Sequence, residues 1–457
     1  MIGLTSCYLV EFCHVAGAKE TRKKAERYPS QGESSGFSKV NSLNNVRRGK
    51  MNVYEHLGVQ TLINARGEVT RLGGALMEQE TVDAMSEAAK YSVRLDELQA
   101  AASRIISRIT GAEAGYVTSG ASAALTLATA ACLAGLDIDR MNRLPDTSHI
   151  PNEVLMDYRH RQGYDHAIRV AGAKIINVGM PNSRVMADEI HTTKRWEFES
   201  AITERTVAIA YFYVPQINPL QEVISLEEVI DLSHKYNIPV IVDAAEQVPP
   251  IENLRKFISM GATLVACSGG KGIRGPQNAG ILCGPRDLIA SVALQNMDMA
   301  LTNFDTWDPP PSLIPKEKLR GIPQHGIGRG MKVSKEAIVG LLVALERMTE
   351  EKSINDIKQL YQRLEHIAER VRSVSGVETE ITELVPGGNP IFTVRLDEAT
   401  LAKSASEIAQ RLRDGEPPVF VIDELASFGM LVISSINLLS EEQTNIIGQQ
   451  LCMALKG

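Results

Sequence analysis

The sequence predicts an α/β protein: a mostly parallel sheet in a large domain, followed by a smaller C-terminal α/β domain. Three observations carry this. From about residue 79 helical and strand-like segments alternate, as they do when crossover helices join parallel strands. The segments 239–243, 264–267 and 280–283 are short apolar runs without alternation, the pattern of strands covered on both faces. After about residue 334 the pattern changes to two long helices, short β-like pieces and a final helix.

In chain order, residues 1–50 are read as a disordered or dispensable tail, because 18–50 are rich in Lys, Arg, Ser, Gly and Asn without sustained periodicity. The large domain is expected over 51–330, with an N-terminal arm at 51–78. Segments 79–91 and 95–110 have helical spacing. A short strand at 116–118 runs into a small-residue helix. Strands are expected at 154–158, 174–178 and 206–214. The helix at 225–237 opens with Ser225 as N-cap and Glu228 at the capping-box position. Segment 305–330 is rich in Pro and Gly and reads as a long loop, a length that points to a functional role. The small domain, 331–457, holds helices at 334–351, 353–374 and 440–455 and β-like pieces at 391–395, 418–422 and 430–433.

The chain has 457 residues, 44% hydrophobic and 23% charged, an ordinary globular balance. Its net charge of −7 does not recruit nucleic acid by bulk electrostatics. The six cysteines form no CxxC pair, which argues against a zinc site and for reduced thiols in a cytoplasmic protein. No stretch approaches the roughly 18–20 apolar residues of a membrane span. Basic residues follow the apolar start at 1–17 instead of preceding it, so no secretory signal is expected.

Three motifs bear on chemistry. Thr118-Ser119-Gly120-Ala121-Ser122 is a strand-to-helix turn, where free N–H groups and the positive helix end form a natural phosphate cradle. Taken alone, it reads equally as a helix start packed on the sheet. Asp243 ends a buried strand, where open α/β sheets bind ligands, although such an acid also serves as a helix N-cap. Lys271 lies among glycines in 268–277 after a further strand, in a loop that lacks Walker spacing. An exposed loop lysine is the ordinary alternative. Together the three supply what pyridoxal 5'-phosphate (PLP) requires: an anion site, a carboxylate for the pyridine nitrogen, and an amine for the aldehyde.

These motifs resemble fold-type I PLP enzymes and, within them, the bacterial selenocysteine synthase-like group, with its ammonia-lyases nearest in appearance. The resemblance runs from about Gly58 to the C-terminus. Thr61-Leu62-Ile63-Asn64-Ala65-Arg66-Gly67 is similar to the group's INATG opening, and Ser268–Lys271 with Gly275-Pro276-Gln277-Asn278-Ala279-Gly280 to its cofactor segment. The turn at 118–122 resembles the phosphate turn of cysteine desulfurases. The resemblance implies an aspartate-aminotransferase-like fold with a seven-stranded sheet and an active site at a homodimer interface. It implies Lys271 as the Schiff-base lysine, Asp243 as partner of the pyridine nitrogen, Gly120, Ala121, Ser122 and Ser268 as phosphate ligands, and His160 near the ring-stacking position.

Arg66, Arg71, Arg274 and Arg329 are candidate clamps for an anionic substrate, since a guanidinium fork suits carboxylate or phosphate. Each is equally a candidate structural ion pair. His325 is a further acid–base candidate. The expected reaction is Cα deprotonation by Lys271 and β-elimination from a small anionic amino acid or amino-sugar acid, releasing ammonia and a 2-keto product. Aminotransferase, racemase and aldolase chemistry use the same apparatus, and a non-catalytic regulatory role is a separate alternative. Selenocysteine synthesis on tRNA is disfavoured by Gly270, where selenocysteine synthases carry an acid, and by Arg66 in place of the INATG threonine.

Overall fold

The apolar runs of the sequence become a seven-stranded sheet in the computed structural model. The structure describes residues 52–179, 193–213, 223–299 and 302–457, together with two short strands at Arg184–Val185 and Glu189–Ile190. The tail expected at 1–50 lies outside the described residues. The sheet strands are β1 (Ala114–Thr118), β2 (Glu153–Asp157), β3 (Lys174–Val178), β4 (Thr206–Phe212), β5 (Val240–Asp243), β6 (Leu264–Ser268) and β7 (Gly280–Gly284). Their order is β1-β7-β6-β5-β4-β2-β3. Only β7 runs against its neighbours; the pairs from β6 to β3 are all parallel.

The lack of alternation has the expected cause. Val240 and Val242 face one hydrophobic core while Ile241 faces the other, so both sheet faces are buried. At the β1 edge, Gln99 substitutes for a missing strand: its Nε2 donates to Val117 O (2.9 Å) and its Oε1 accepts from Val117 N (3.0 Å). The helix Leu95–Thr110 matches its predicted bounds and stops at Gly111 in the left-handed region (φ 78°). The helix Leu226–Tyr236 is opened by the Ser225/Glu228 capping box and closed by left-handed Asn237. Helices Asn253–Met260 and Arg286–Asn296 are additions to the sequence reading.

The chain divides into two compact units. The first draws its described residues from 67–361 and 383–390, the second from 52–66, 362–382 and 391–457. The expected boundary at 330/331 is therefore corrected. The helix Lys335–Arg347 belongs to the first unit because Ile338, Leu341, Leu342 and Leu345 complete its core. The arm is also divided: Ile63–Asn64 pairs in parallel with Val419–Phe420 inside the second unit. That unit holds all but Glu383 and Pro390 of a three-stranded sheet of Val377–Glu383, Pro390–Leu396 and Met430–Ser434. Its core includes Leu364, Phe392, Ile408, Ile433 and Leu451.

The Pro/Gly-rich loop contains 3-10 turns at Lys316–Lys318 and Ile327–Met331. Two of its glycines answer to packing. A Cβ on Gly326 would lie 2.2 Å from Gln295 Cα, and one on Gly328 2.5 Å from Leu127 Cδ2. Among the described residues, no helix is long and apolar enough to cross a membrane.

Candidate active site

Sheet register brings the motifs together. β7 runs antiparallel between β1 and β6, so Gly280 at its start sits directly between Thr118 and Ser268, the last residues of those strands. Gly280 has no room for a side chain: a Cβ there would lie 2.7 Å from Gly120 C and 2.9 Å from Ala121 N. The turn 119–120 is thereby seated against β7. Gly120 holds φ 110°, a conformation that disfavours any side chain, and its carbonyl accepts the first helical bond from Ala124 N (3.0 Å). The N–H groups of 121–123 head the helix Ala121–Ala134 and have no carbonyl one turn earlier to bond. Among the described residues, the Ser122 and Ser268 hydroxyls engage no protein partner. Ser119 is used structurally, donating to Met331 O (2.9 Å). A cradle of free N–H groups and two free hydroxyls fits a phosphate.

The lysine loop is equally tight. Gly269 N donates to Ala279 O and Gly275 N to Gly269 O, both at 2.8 Å, folding 269–279 back on itself. A Cβ on Gly270 would lie 2.3 Å from Gln277 Cα, and one on Gly272 1.9 Å from Val248 O. The glycines around Lys271 are therefore packing requirements, and they fix the lysine's position.

Lys271 Nζ lies 2.6 Å from Glu246 Oε1. Burial pulls its ammonium down, but Glu246, Glu68 and Asp243 outweigh burial and the net shift is upward. Burial raises Asp243 to about 6, against the Ala245 amide hydrogen bond (3.0 Å) and the charge of Lys271. Burial also raises Glu68 to about 8, against Lys271 and Arg274 and reinforced by Glu246. Arg274 takes a left-handed backbone (φ 56°) and donates its N–H to Lys271 O (2.8 Å). Perturbed acids gathered about one lysine beside an anion cradle mark a reactive centre.

The chain is similar to known proteins over most of its length. A family model described as SelA, L-seryl-tRNA selenium transferase, matches residues 164–303. The chain is 31% identical to D-glucosaminate-6-phosphate ammonia lyase of Salmonella typhimurium, over 81% of this chain and 89% of that one. The chain belongs to the SelA-like family of fold-type I PLP enzymes. It is also 30% identical to a 5'-C-glycyluridine monooxygenase-decarboxylase of a Streptomyces species, over 83% of this chain and 86% of the other. The solved structure of D-glucosaminate-6-phosphate ammonia-lyase superposes with a TM-score of 0.71 at 27% identity, covering 89% of this chain and 98% of that one. The expected aspartate-aminotransferase-like fold is the observed one.

Lys271, Asp243, Gly120, Ala121, Ser122 and Ser268 all lie in the first unit, at or just beyond the ends of sheet strands. His160 is buried beyond the end of β2, edge-on to Tyr211 with ring centroids 4.5 Å apart, and among the described residues its Nδ1 has no hydrogen-bond partner. Burial lowers its pKa to about 4 and keeps it neutral.

The arginines separate. Arg66, open in the sequence between anion clamp and ion pair, has its guanidinium on Asp423 (2.8 Å) and Glu424 within the second unit. Arg329 pairs with Asp298 (2.8 Å). Together with Lys332, that pair lines a cavity of about 250 Å³ that also touches Tyr116 and Asn296. Arg71 is exposed and pairs with nothing among the described residues. His325 is exposed. Glu68 and Glu246 are site residues that sequence reasoning missed. Glu246 lies three positions past Asp243, a strand-end signal that could have found it; Glu68 gives no such signal.

Proposed function

We propose that the chain is a PLP-dependent lyase that removes ammonia from a small anionic, hydroxylated amino acid or amino-sugar acid. The observation that carries this is Lys271, fixed by glycine packing and surrounded by Glu246, Glu68 and Asp243 beside the cradle. The named ammonia-lyase relative supports the reaction class. When bound, PLP supplies an electron sink for negative charge at a substrate Cα.

The chain's residues divide the work. The N–H groups after Gly120 and the hydroxyls of Ser122 and Ser268 would hold the phosphate. Asp243 would partner the pyridine nitrogen; burial makes its lone carboxylate costly, so a cationic partner is favoured there. His160, neutral and held edge-on by Tyr211, would pack on the cofactor ring. Lys271 takes the Cα proton onto Nζ, and Glu246 accepts a hydrogen bond from the resulting ammonium. Arg274, adjoining both Lys271 and Glu68, and Arg71 receive the substrate's anionic groups. We place the enzyme in the cytoplasm as a homodimer.

The test is incubation of the PLP-loaded protein with D-glucosaminate 6-phosphate and a panel of β-hydroxy amino acids. Equal amounts of ammonia and 2-keto acid are expected, without oxygen uptake. Oxygen consumption with loss of carbon dioxide would instead favour the chemistry in the name of the Streptomyces relative. Salt-resistant tRNA binding would favour selenium transfer.

A further inference from the structure

Elimination of a hydroxyl needs an acid as well as a base, because hydroxide leaves poorly. Lys271 is the base and Asp243 is committed to the ring. Glu246 is bonded to Lys271 as its counter-ion, with its side chain 42% exposed. Glu68 differs from all three. It follows Gly67, which turns the chain at φ 100°. The segment after it is fastened to the lysine loop: Ala75 N donates to Gly270 O (3.1 Å), and Gln277 Nε2 donates to Thr70 O (3.2 Å). Gly74 lies against that loop so closely that a Cβ would sit 3.0 Å from Gly270 O. Glu68 is thus held at Lys271 and Arg274, yet among the described residues its carboxyl makes no hydrogen bond or ion pair.

We infer that Glu68 is the proton donor to the departing Cβ hydroxyl. The inference rests on the lyase reading above and adds a residue to it. As the Cα–H bond breaks, its proton goes to Lys271 Nζ and its electron pair forms the Cα=Cβ bond. The Cβ–O bond breaks with its pair on oxygen, and the Glu68 proton converts that oxygen to water. Glu68 is left as a carboxylate facing Lys271 and Arg274, whose positive charges stabilise it until it is reprotonated. No oxidant or reductant is needed. Enclosure accounts for the stored proton: the carboxyl remains protonated at neutral pH against Lys271 and Arg274, with Glu246 adding repulsion.

The test compares wild type, Glu68→Gln, Glu68→Asp and Glu246→Gln by two readouts. The first is infrared spectroscopy of the PLP-loaded protein without substrate. A protonated-carboxyl band should be present at pH 7, fade as pH rises through about 8, survive in Glu246→Gln and be missing in Glu68→Gln. The second follows D-glucosaminate 6-phosphate in deuterated water. Glu68→Gln should still exchange the Cα hydrogen but release ammonia about 10²–10⁴-fold more slowly than wild type, with partial recovery in Glu68→Asp. A Glu68→Gln enzyme that eliminates at the wild-type rate, or a wild type lacking the band, overturns the donor role alone. A wild type that exchanges the Cα hydrogen and eliminates nothing overturns the lyase reading and the donor role with it, even where the band is present.

Discussion

Arg66 and Lys271 are each a cation set among carboxylates, yet their surroundings differ in kind. Arg66, in the second unit, is bonded by Asp423 and Glu424, and Asp423 is bonded again by Arg413. Burial pushes Asp423 up, and Arg413 and Arg66 more than reverse it, so the cluster rests with its charges matched. Lys271, in the first unit, has one bonded counter-ion and two further acids that burial holds above their ordinary range. The first arrangement satisfies its charges internally and fastens a chain segment. The second leaves proton-binding capacity open, which is what a reacting molecule needs. The lesson concerns saturation: an arginine in a family motif is structural when nearby acids already fill its fork.

The largest expected effect falls on the open cluster. Lys271→Ala should reduce ammonia release to background while the protein stays folded by circular dichroism; a fully active variant would end the distinction between the clusters. Next is His160, whose neutral form is enforced by burial. Its folded pKa of about 4 lies below the usual 6.5, so the unfolded chain binds more protons between these values. Stability is complete above about pH 6.5 and is lost as pH falls toward 4, by roughly 3 kcal/mol at most. Denaturant titrations at several pH values should show that slope flattened in His160→Gln; an unchanged slope would show that other groups carry it.

On the saturated side, Arg66→Ala should lower unfolding stability by about 2–3 kcal/mol by stranding two partly buried acids. Reconstituted at a temperature where it is folded, it should keep wild-type KM; a large KM increase with unchanged stability would restore Arg66 as a substrate clamp. Smallest is Arg329→Ala. Its pair with Asp298 is partly exposed, so the stability change should stay under about 1 kcal/mol. A rise in KM from this change would assign the cavity beside it to substrate.

Much of the sheet was legible because strands buried on both faces must be apolar at every position, as in 240–242. Asp243, Lys271 and the turn after Thr118 were legible because strand-end acids and glycine-flanked lysines are local patterns. Glu68 was not, since its nearness to Lys271 depends on the Ala75–Gly270 hydrogen bond, a contact between distant parts of the chain. The ion pair of Arg66 was not legible for the same reason: its partner Asp423 is 357 residues away. The unit boundary was misplaced because the apolar face of Lys335–Arg347 is the same whichever core it enters. The strand Val377–Glu383 was missed because its surface is mostly polar and only partly buried.

The most direct test of the central claim is absorption spectroscopy of the PLP-supplemented protein before and after borohydride, followed by peptide mapping. A yellow chromophore that borohydride bleaches, leaving a pyridoxyl group covalently on Lys271, is the predicted result. A protein that takes up no PLP, or one whose adduct maps to another lysine, would contradict the account.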